Sequence, residues 1–487
     1  MDSLFAAVDS FKPSQRGYED PAEFNQAAKT YLATIDKLPH NVWQAISHDP
    51  GQFLRGLNPK ENSIGYCFSL HYLLRFLPAD TVPDDVLAGG LVELLSNFDR
   101  QQIRIVLPQF KELLEAITKR PLLPPSVTVE LIAHVIRRAE PNRSVFTSAH
   151  ILLAKLAYDN ELDHLAQDIL DADIIFFAKP PRSFKPKTPY PQDEDQDADA
   201  PSTTLLDDVT PAAVLEYHYI RALTLIQRRD WAKAQIALEQ VITHPAKDKT
   251  VSMFMTEAHK KWLLVGLLAT GQVPAMPSQV GSHAKGVLNL TSLPYAQVAG
   301  LFSTDGAAEL KAAAEQHAQV WETDDNGPLV LAVLAAYQEW QIINLRRVYH
   351  QVSIPQIRQT TLSAETAPAL RGDEDVAALV GRMIASGMLR GELEVGPTGE
   401  QSYLRFHDEC EAMSEEDFAR AIAQCHRRVD ALSKQYRVTS QRFSTKHEYV
   451  RYLLRQQKAL ERDVDAGVGF DSTIEDEDLM TGVMSHI

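Results

Sequence analysis

The sequence predicts a mostly α-helical protein: a solenoid of helical repeats, then a winged-helix subdomain, then C-terminal helices. Three observations lead there. Apolar residues recur at spacings of three and four through most of the first 340 positions, the period of helices with one buried face. The stretch 341–408 changes character and reads helix, helix, helix, hairpin. Beyond it, a narrow apolar stripe repeats every three and four residues to position 460.

Residues 1–178 read as N-terminal helical repeats. Val86, Leu87, Leu91, Leu94 and Leu95 form one helical face. Ile103, Val106, Phe110, Leu113, Leu114 and Ile117 form the next, closed by Pro121 and the Pro124-Pro125 pair. Val129 to Arg138 follows, ending before Pro141. Two further helices flank the Asp159-Asn-Glu161 turn. No run in this part sustains the alternation of a strand. Residues 179–209 are proline-rich and then acid-rich, a composition that cannot bury enough surface to order itself, and read as a linker.

Residues 210–340 resume the repeats. Thr210 is an N-cap and Pro211 occupies the first helical position, where a missing N–H costs little. Leu215, Tyr219, Ala222 and Ile226 line one helix. After Arg228-Arg-Asp230, Trp231, Ala234, Ala237, Leu238 and Val241 line its partner, which Pro245 ends. The order of tyrosine, tryptophan, small alanines and terminal proline resembles a tetratricopeptide-type (TPR-like) repeat, although the usual Leu-Gly pair is missing. Helices near 252–270, 294–302, 306–321 and 328–340 extend the stack.

Residues 341–408 read as the winged helix. Ile342, Leu345 and Tyr349 share a face of a first helix over 341–350. Ser353 caps a second, with Pro355 in its first turn. Asp373, Glu374 and Asp375 crowd the start of a third, where the helix dipole favours acids, and Gly387 ends it. Leu389, Leu393 and Val395 alternate with charged residues, Gly396-Pro-Thr-Gly399 has turn chemistry, and Leu404 and Phe406 alternate on the return. The apolar residues of this hairpin (Leu389, Leu393, Val395, Leu404 and Phe406) are the expected partner-binding edge.

Residues 409–462 form the C-terminal bundle helices. Ser414 to Asp417 is a helix-start signal. Phe418, Ile422, Cys425, Val429, Leu432 and Tyr436 then recur at four, three, four, three and four. The stripe resumes at Tyr449, Leu453 and Leu460. Such a heptad seam fits another helix better than a broad globular core, and these nine residues are the second expected partner-binding set. Residues 463–487 hold seven acids and no lysine or arginine and read as a disordered tail.

The charge is −17 at neutral pH, which argues against nucleic acid as the partner. Arg346, Arg347, Arg358, Arg382 and Arg390 would be the contacts, but Asp373, Glu374, Asp375, Glu392 and Glu394 surround them. No apolar run is long enough to span a bilayer, and Met1-Asp-Ser-Leu-Phe5 lacks the basic start of a secretory signal. The three cysteines, Cys67, Cys410 and Cys425, form no C-x-x-C pair. A soluble intracellular protein is expected. No phosphate cradle, H-E-x-x-H pair or G-x-S-x-G elbow occurs. His71, His150, His164 and His218 sit singly among apolar residues and read as core or groove histidines. No catalytic residue, metal ligand or cofactor is expected.

Leu345-Arg-Arg-Val-Tyr-His-Gln-Val-Ser-Ile-Pro-Gln-Ile357, the Asp373–Gly387 helix and Leu389-Arg-Gly-Glu-Leu-Glu394 together resemble the PCI domain, over roughly residues 210–408. PCI subunits build the COP9 signalosome, the proteasome lid and translation initiation factor 3. The segments 49–59 and Asn344-Leu-Arg-Arg-Val-Tyr-His350 are most similar to a signalosome subunit of fungal type. The acidic loop 190–200 departs from that pattern. The resemblance implies a non-catalytic scaffold in the complex that removes NEDD8 from cullins and so regulates cullin–RING ubiquitin ligases. Its partners would be the other PCI subunits and the MPN subunits, with cullin–RING ligases reached indirectly, no membrane and no nucleic acid. It would reside in cytoplasm and nucleus.

Overall fold

Side-chain caps fix where many of the helices begin. In the computed structural model, Asp49 accepts from the Gln52 N–H at the head of Pro50–Gly56, and Asn62 from the Gly65 N–H at the head of Ser63–Arg75. Thr210 accepts from the Ala213 N–H ahead of Pro211–Gln227, Asp230 from Lys233 ahead of Trp231–Ile242, and Ser353 from Gln356 ahead of Ile354–Thr360. Each cap satisfies a donor that the first helical turn leaves open, for about 1 kcal/mol. The structure describes residues 2–13, 21–78, 81–140, 145–172, 174, 176–177, 209–245, 250–304, 306–366, 370, 372–395, 402–407, 415–444, 450–451, 454–455 and 457. The linker over 179–208, the turn 396–399, Ser414, Tyr449, Leu453, Leu460 and the acidic tail lie outside them.

The chain divides into two units, residues 1–407 and 408–487. The first is mostly helical, and its buried side chains fall into three successive clusters. One runs from Leu4 to Ile220, one from Leu215 to Ala364, and one from Ile342 to Phe406. Helix Pro211–Gln227 belongs to two of them, with Val214, Tyr217 and Ile220 in the first and Leu215, Ala222 and Leu225 in the second. Helix Gly327–Leu345 does the same one step on. Val333 and Tyr337 lie in the second cluster and Ile342 in the third. Two helices are expected over 328–350. One unbroken helix runs to Leu345 instead, because no glycine or proline interrupts residues 329–345.

Three helix–helix turns share one geometry. The N–H groups of Leu162, Asp230 and Asn326 donate to the carbonyls of Ala157, Leu225 and Trp321, five residues back, at 2.8–3.0 Å. Those of Glu161, Arg229 and Asp325 donate three residues back, to Tyr158, Ile226 and Glu322. Each of the latter three residues is left-handed, at φ 57°, 59° and 52°. This is the Schellman closure, formed without its usual glycine. The recurrence supports a repeated helical hairpin on geometric grounds.

The N-terminal part is not wholly helical. Val145–Phe146 pairs in parallel with Phe176–Phe177, a two-residue ladder too short to show a period in sequence. The run Ile103–Ile117 is also broken, with a short helix Arg100–Ile103 before Leu107–Lys119 and Pro108 in the new first turn. A helix at Ser282–Thr291 was not expected.

Candidate interaction surfaces

Residues 342–406 fold around Ile342, Val352, Ile357, Val376, Val380, Met383 and Leu404. The order is helix, short strand, helix Ile354–Thr360, helix Asp373–Ala385, then a hairpin. The helices and hairpin occur in the order expected of a winged helix. The strand Gln351–Ser353 is an addition to the sequence expectation. It pairs antiparallel with Ser402–Phe406, placing Val352 opposite Leu404. Ser402–Phe406 also pairs antiparallel with Gly391–Val395, so it is the central strand of three. The outer edge of Gly391–Val395 pairs with no other strand among the described residues.

This topology corrects the expected edge set. Leu389, Leu404 and Phe406 are 3%, 0% and 6% exposed and belong to the module's own core, not to its rim. Alternation identifies two faces but not which apolar face is already covered from within. Leu393, opposite Leu404, keeps 38% of its surface. Val395 is the last residue of the edge strand. Glycine is required at 391, since a Cβ would stand 2.5 Å from the Arg405 carbonyl oxygen and 3.2 Å from Leu404 Cδ1. On the solvent face, Arg405 lies 3.3 Å from Glu394 and 3.8 Å from Glu392, and His407 lies 3.4 Å from Glu392. Arg358 lies 3.1 Å from Asp373. Two cations of this module are therefore held by carboxylates.

The second surface lies on helix Glu415–Ser444. Glu415, Glu416 and Asp417 fill its first turn, and Arg420 reaches back to Asp417 at 2.8 Å and Glu416 at 3.4 Å. Phe418, Ile422, Val429, Leu432 and Tyr436 each keep more than half of their surface, and Cys425 is exposed with them. Acting together, they make a continuous apolar stripe that none of the three core clusters includes. Of the remaining seam positions, Tyr449, Leu453 and Leu460 are among those not described.

The singled-out histidines separate by environment. His150 and His218 are buried, and burial pushes both down to about 4. His71 is half-buried and lies 2.8 Å from Glu112, whose carboxyl that contact holds below its usual range. His164 is exposed and is neither a core nor a groove residue, because it faces outward on the helix Asp163–Leu170. Sequence patterning missed His259, buried against Ser292 Oγ at 2.8 Å and also near 4. Its spacing, four residues after Met255 and three before Trp262 on the same helix, was the available signal. Among the described residues no helix is long and apolar enough to cross a membrane.

Fold and surfaces together define a helical-repeat protein that, among the described residues, carries an exposed apolar stripe on one helix and a strand edge with no partner strand. Comparison with known proteins makes this specific. Residues 24–283 match the family model for the N-terminal helical repeats of COP9 signalosome complex subunit 3. The COP9 signalosome complex subunit 3 of Neurospora crassa is 32% identical over 505 aligned positions, covering all of both chains. That of Emericella nidulans is 26% identical over 457 positions, covering 89% of this chain and 90% of its own. The chain belongs to the COP9 signalosome subunit 3 family.

Proposed function

We propose that this chain is a non-catalytic scaffold subunit of the COP9 signalosome. It would hold its place among other PCI subunits and the MPN subunits of the complex that removes NEDD8 from cullins. It would thereby act on cullin–RING ligases only indirectly, in cytoplasm and nucleus, and needs no cofactor of its own. The observation that supports this best is the exposed heptad stripe from Phe418 to Tyr436. Fully burying one such side chain is worth about 1.5–3 kcal/mol, so covering the half-exposed stripe offers on the order of 5 kcal/mol before ordering costs. In water the uncovered stripe is an aggregation liability. A second contact is the free edge of Gly391–Val395, where a neighbouring strand could continue the sheet, with Leu393 beside it.

The test is co-purification of the full chain with the other subunits. Ile422→Asp combined with Leu432→Asp removes two apolar contacts and would bury two unpaired carboxylates in any shared bundle. That costs several kcal/mol, or at least about a hundredfold in association. The variant should retain its circular dichroism and lose co-assembly. Recovery of the other subunits at normal stoichiometry would reject the bundle.

A further inference from the structure

We propose that His150, Tyr217 and Arg221 form a buried site for a compact inorganic anion between helices Ser148–Asp159 and Pro211–Gln227. Tyr217 and Arg221 are four residues apart and so share a face of the second helix. The Tyr217 ring meets His150 edge-on at 6.0 Å between centroids, and Phe146 packs on both rings, at 5.6 and 5.1 Å. His150, Tyr217 and Arg221 are 0%, 0% and 6% exposed.

All three present a hydrogen-bond donor that is left over. The Thr147 N–H donates to His150 Nδ1 at 3.2 Å, with the Thr147 hydroxyl 2.9 Å away. Nδ1 therefore carries no proton in the neutral ring, and Nε2 does. Among the described residues, His150 Nε2, the Tyr217 hydroxyl and Arg221 Nε are buried without a hydrogen-bond partner. One of these donors belongs to a permanent cation, and a buried charged donor with no acceptor is costly.

Asp171, whose charge reaches Tyr217, is already engaged, lying 3.2 Å from both Arg228 and Lys233. The Arg221 charge is felt by its surroundings, since it pulls down both the Tyr217 hydroxyl and His218. Burial dominates at both sites, raising Tyr217 to about 12 and lowering His218 to about 4. A water molecule could accept from two donors but would leave the charge unbalanced. An anion accepts from N–H and O–H alike and neutralises the guanidinium.

The experiment is a thermal melt of the full chain exchanged into sodium gluconate, with chloride or phosphate then added at constant ionic strength. A saturable rise in Tm on the order of 2–4 °C is expected with one of the two. Chloride activity identifies a halide-sized site and phosphate activity an oxyanion site. Tyr217→Phe keeps the ring and removes one donor, and should weaken the apparent affinity about tenfold. Arg221→Met should abolish the response. If Arg221→Met does not fold, Tyr217→Phe decides alone. No anion-specific rise in the parent chain would mean that the donors hold only water and would overturn the proposal. Full apparent affinity in the Tyr217→Phe variant would overturn it equally, by locating the anion elsewhere.

Discussion

Gly271→Ala should destabilise the chain, while Gly286→Ala should stabilise it. Gly271 follows helix Met253–Thr270 as its left-handed cap, at φ +69°, with its N–H donating to the Leu267 carbonyl at 2.9 Å. A Cβ there would lie 2.6 Å from Trp340 Cε3 and 2.8 Å from Cγ. Trp340 belongs to the helix that runs from the second core cluster into the third. The left-handed conformation costs a non-glycine residue about 1 kcal/mol, and forcing an indole aside in packed surroundings costs about 1–3 kcal/mol more. The sum is about 2–4 kcal/mol. Gly286 is interior to helix Ser282–Thr291 and has nothing within 4 Å of its hypothetical Cβ. Alanine there should gain about 0.5–1 kcal/mol from helix propensity. Urea denaturation followed by far-ultraviolet circular dichroism measures both. Equal midpoints for the two variants would refute the assignment of Trp340 as a lock on the Gly271 turn.

Three more outcomes follow from the same structure. Leu404→Ala should lower stability by about 2–5 kcal/mol in a denaturant titration, whereas Leu393→Ala should cost well under that, because only the first is fully buried. His150, His218 and His259 are all held neutral down to about pH 4. In the unfolded chain a histidine takes up its proton near pH 6.5. The unfolded state therefore binds more protons between these limits, and stability falls as pH drops from 6.5 towards 4. The slope approaches about 1.4 kcal/mol per pH unit for each histidine. Denaturant midpoints at pH 7.5 and 5.5 check this, and His259→Gln should flatten the dependence. Asp230→Ala should cost about 1 kcal/mol by removing the cap on Trp231–Ile242, and its loss of the 3.1 Å contact with the half-exposed Lys233 adds little.

Much of the helical part was legible because its signals are local. Thr210-Pro211 and Ser353 act through side chains within three residues of the donors they satisfy, so sequence spacing suffices. The seam from Phe418 to Tyr436 was legible for the same reason, as periodicity along one helix. What sequence could not resolve depends on contacts across the fold. Leu389, Leu404 and Phe406 carry the same alternating pattern whether they face a core or a partner, and only the three-stranded pairing shows them inside. The strand Gln351–Ser353 has too few residues to display a period and exists because Ser402–Phe406 offers it a ladder. Gly271 looks like an ordinary helix cap until Trp340, 69 positions later, is found against it. The anion-site donors likewise join Thr147–His150 to a helix some 70 residues on.

The three matching turns bear on how the first 340 residues act as a scaffold. Each closes with the same pair of backbone hydrogen bonds, yet Glu161, Arg229 and Asp325 occupy positions where glycine would be unstrained. The turn at 324–326 is locked further by side chains. The Asn326 amide donates to the Tyr295 hydroxyl at 2.7 Å, the Tyr295 hydroxyl to Asp324 at 2.7 Å, and Lys261 to Asn326 at 2.5 Å. Lys260 bridges Asp324 and Glu257 at 2.9 and 2.8 Å. The Arg228 turn is tied in the same way to Asp163 and Asp171 of the preceding hairpin. Apolar packing between helices permits sliding along the contact, because dispersion is weakly directional. Charged hydrogen bonds from a turn to a neighbouring hairpin or helix do not, since a shift of one ångström breaks them. The hairpins are thus fixed in register by polar ties at their turns while their faces supply the cohesion. A repeat array locked this way can hold distant surfaces, such as the free strand edge at Gly391–Val395, in a set relation to the rest of its unit.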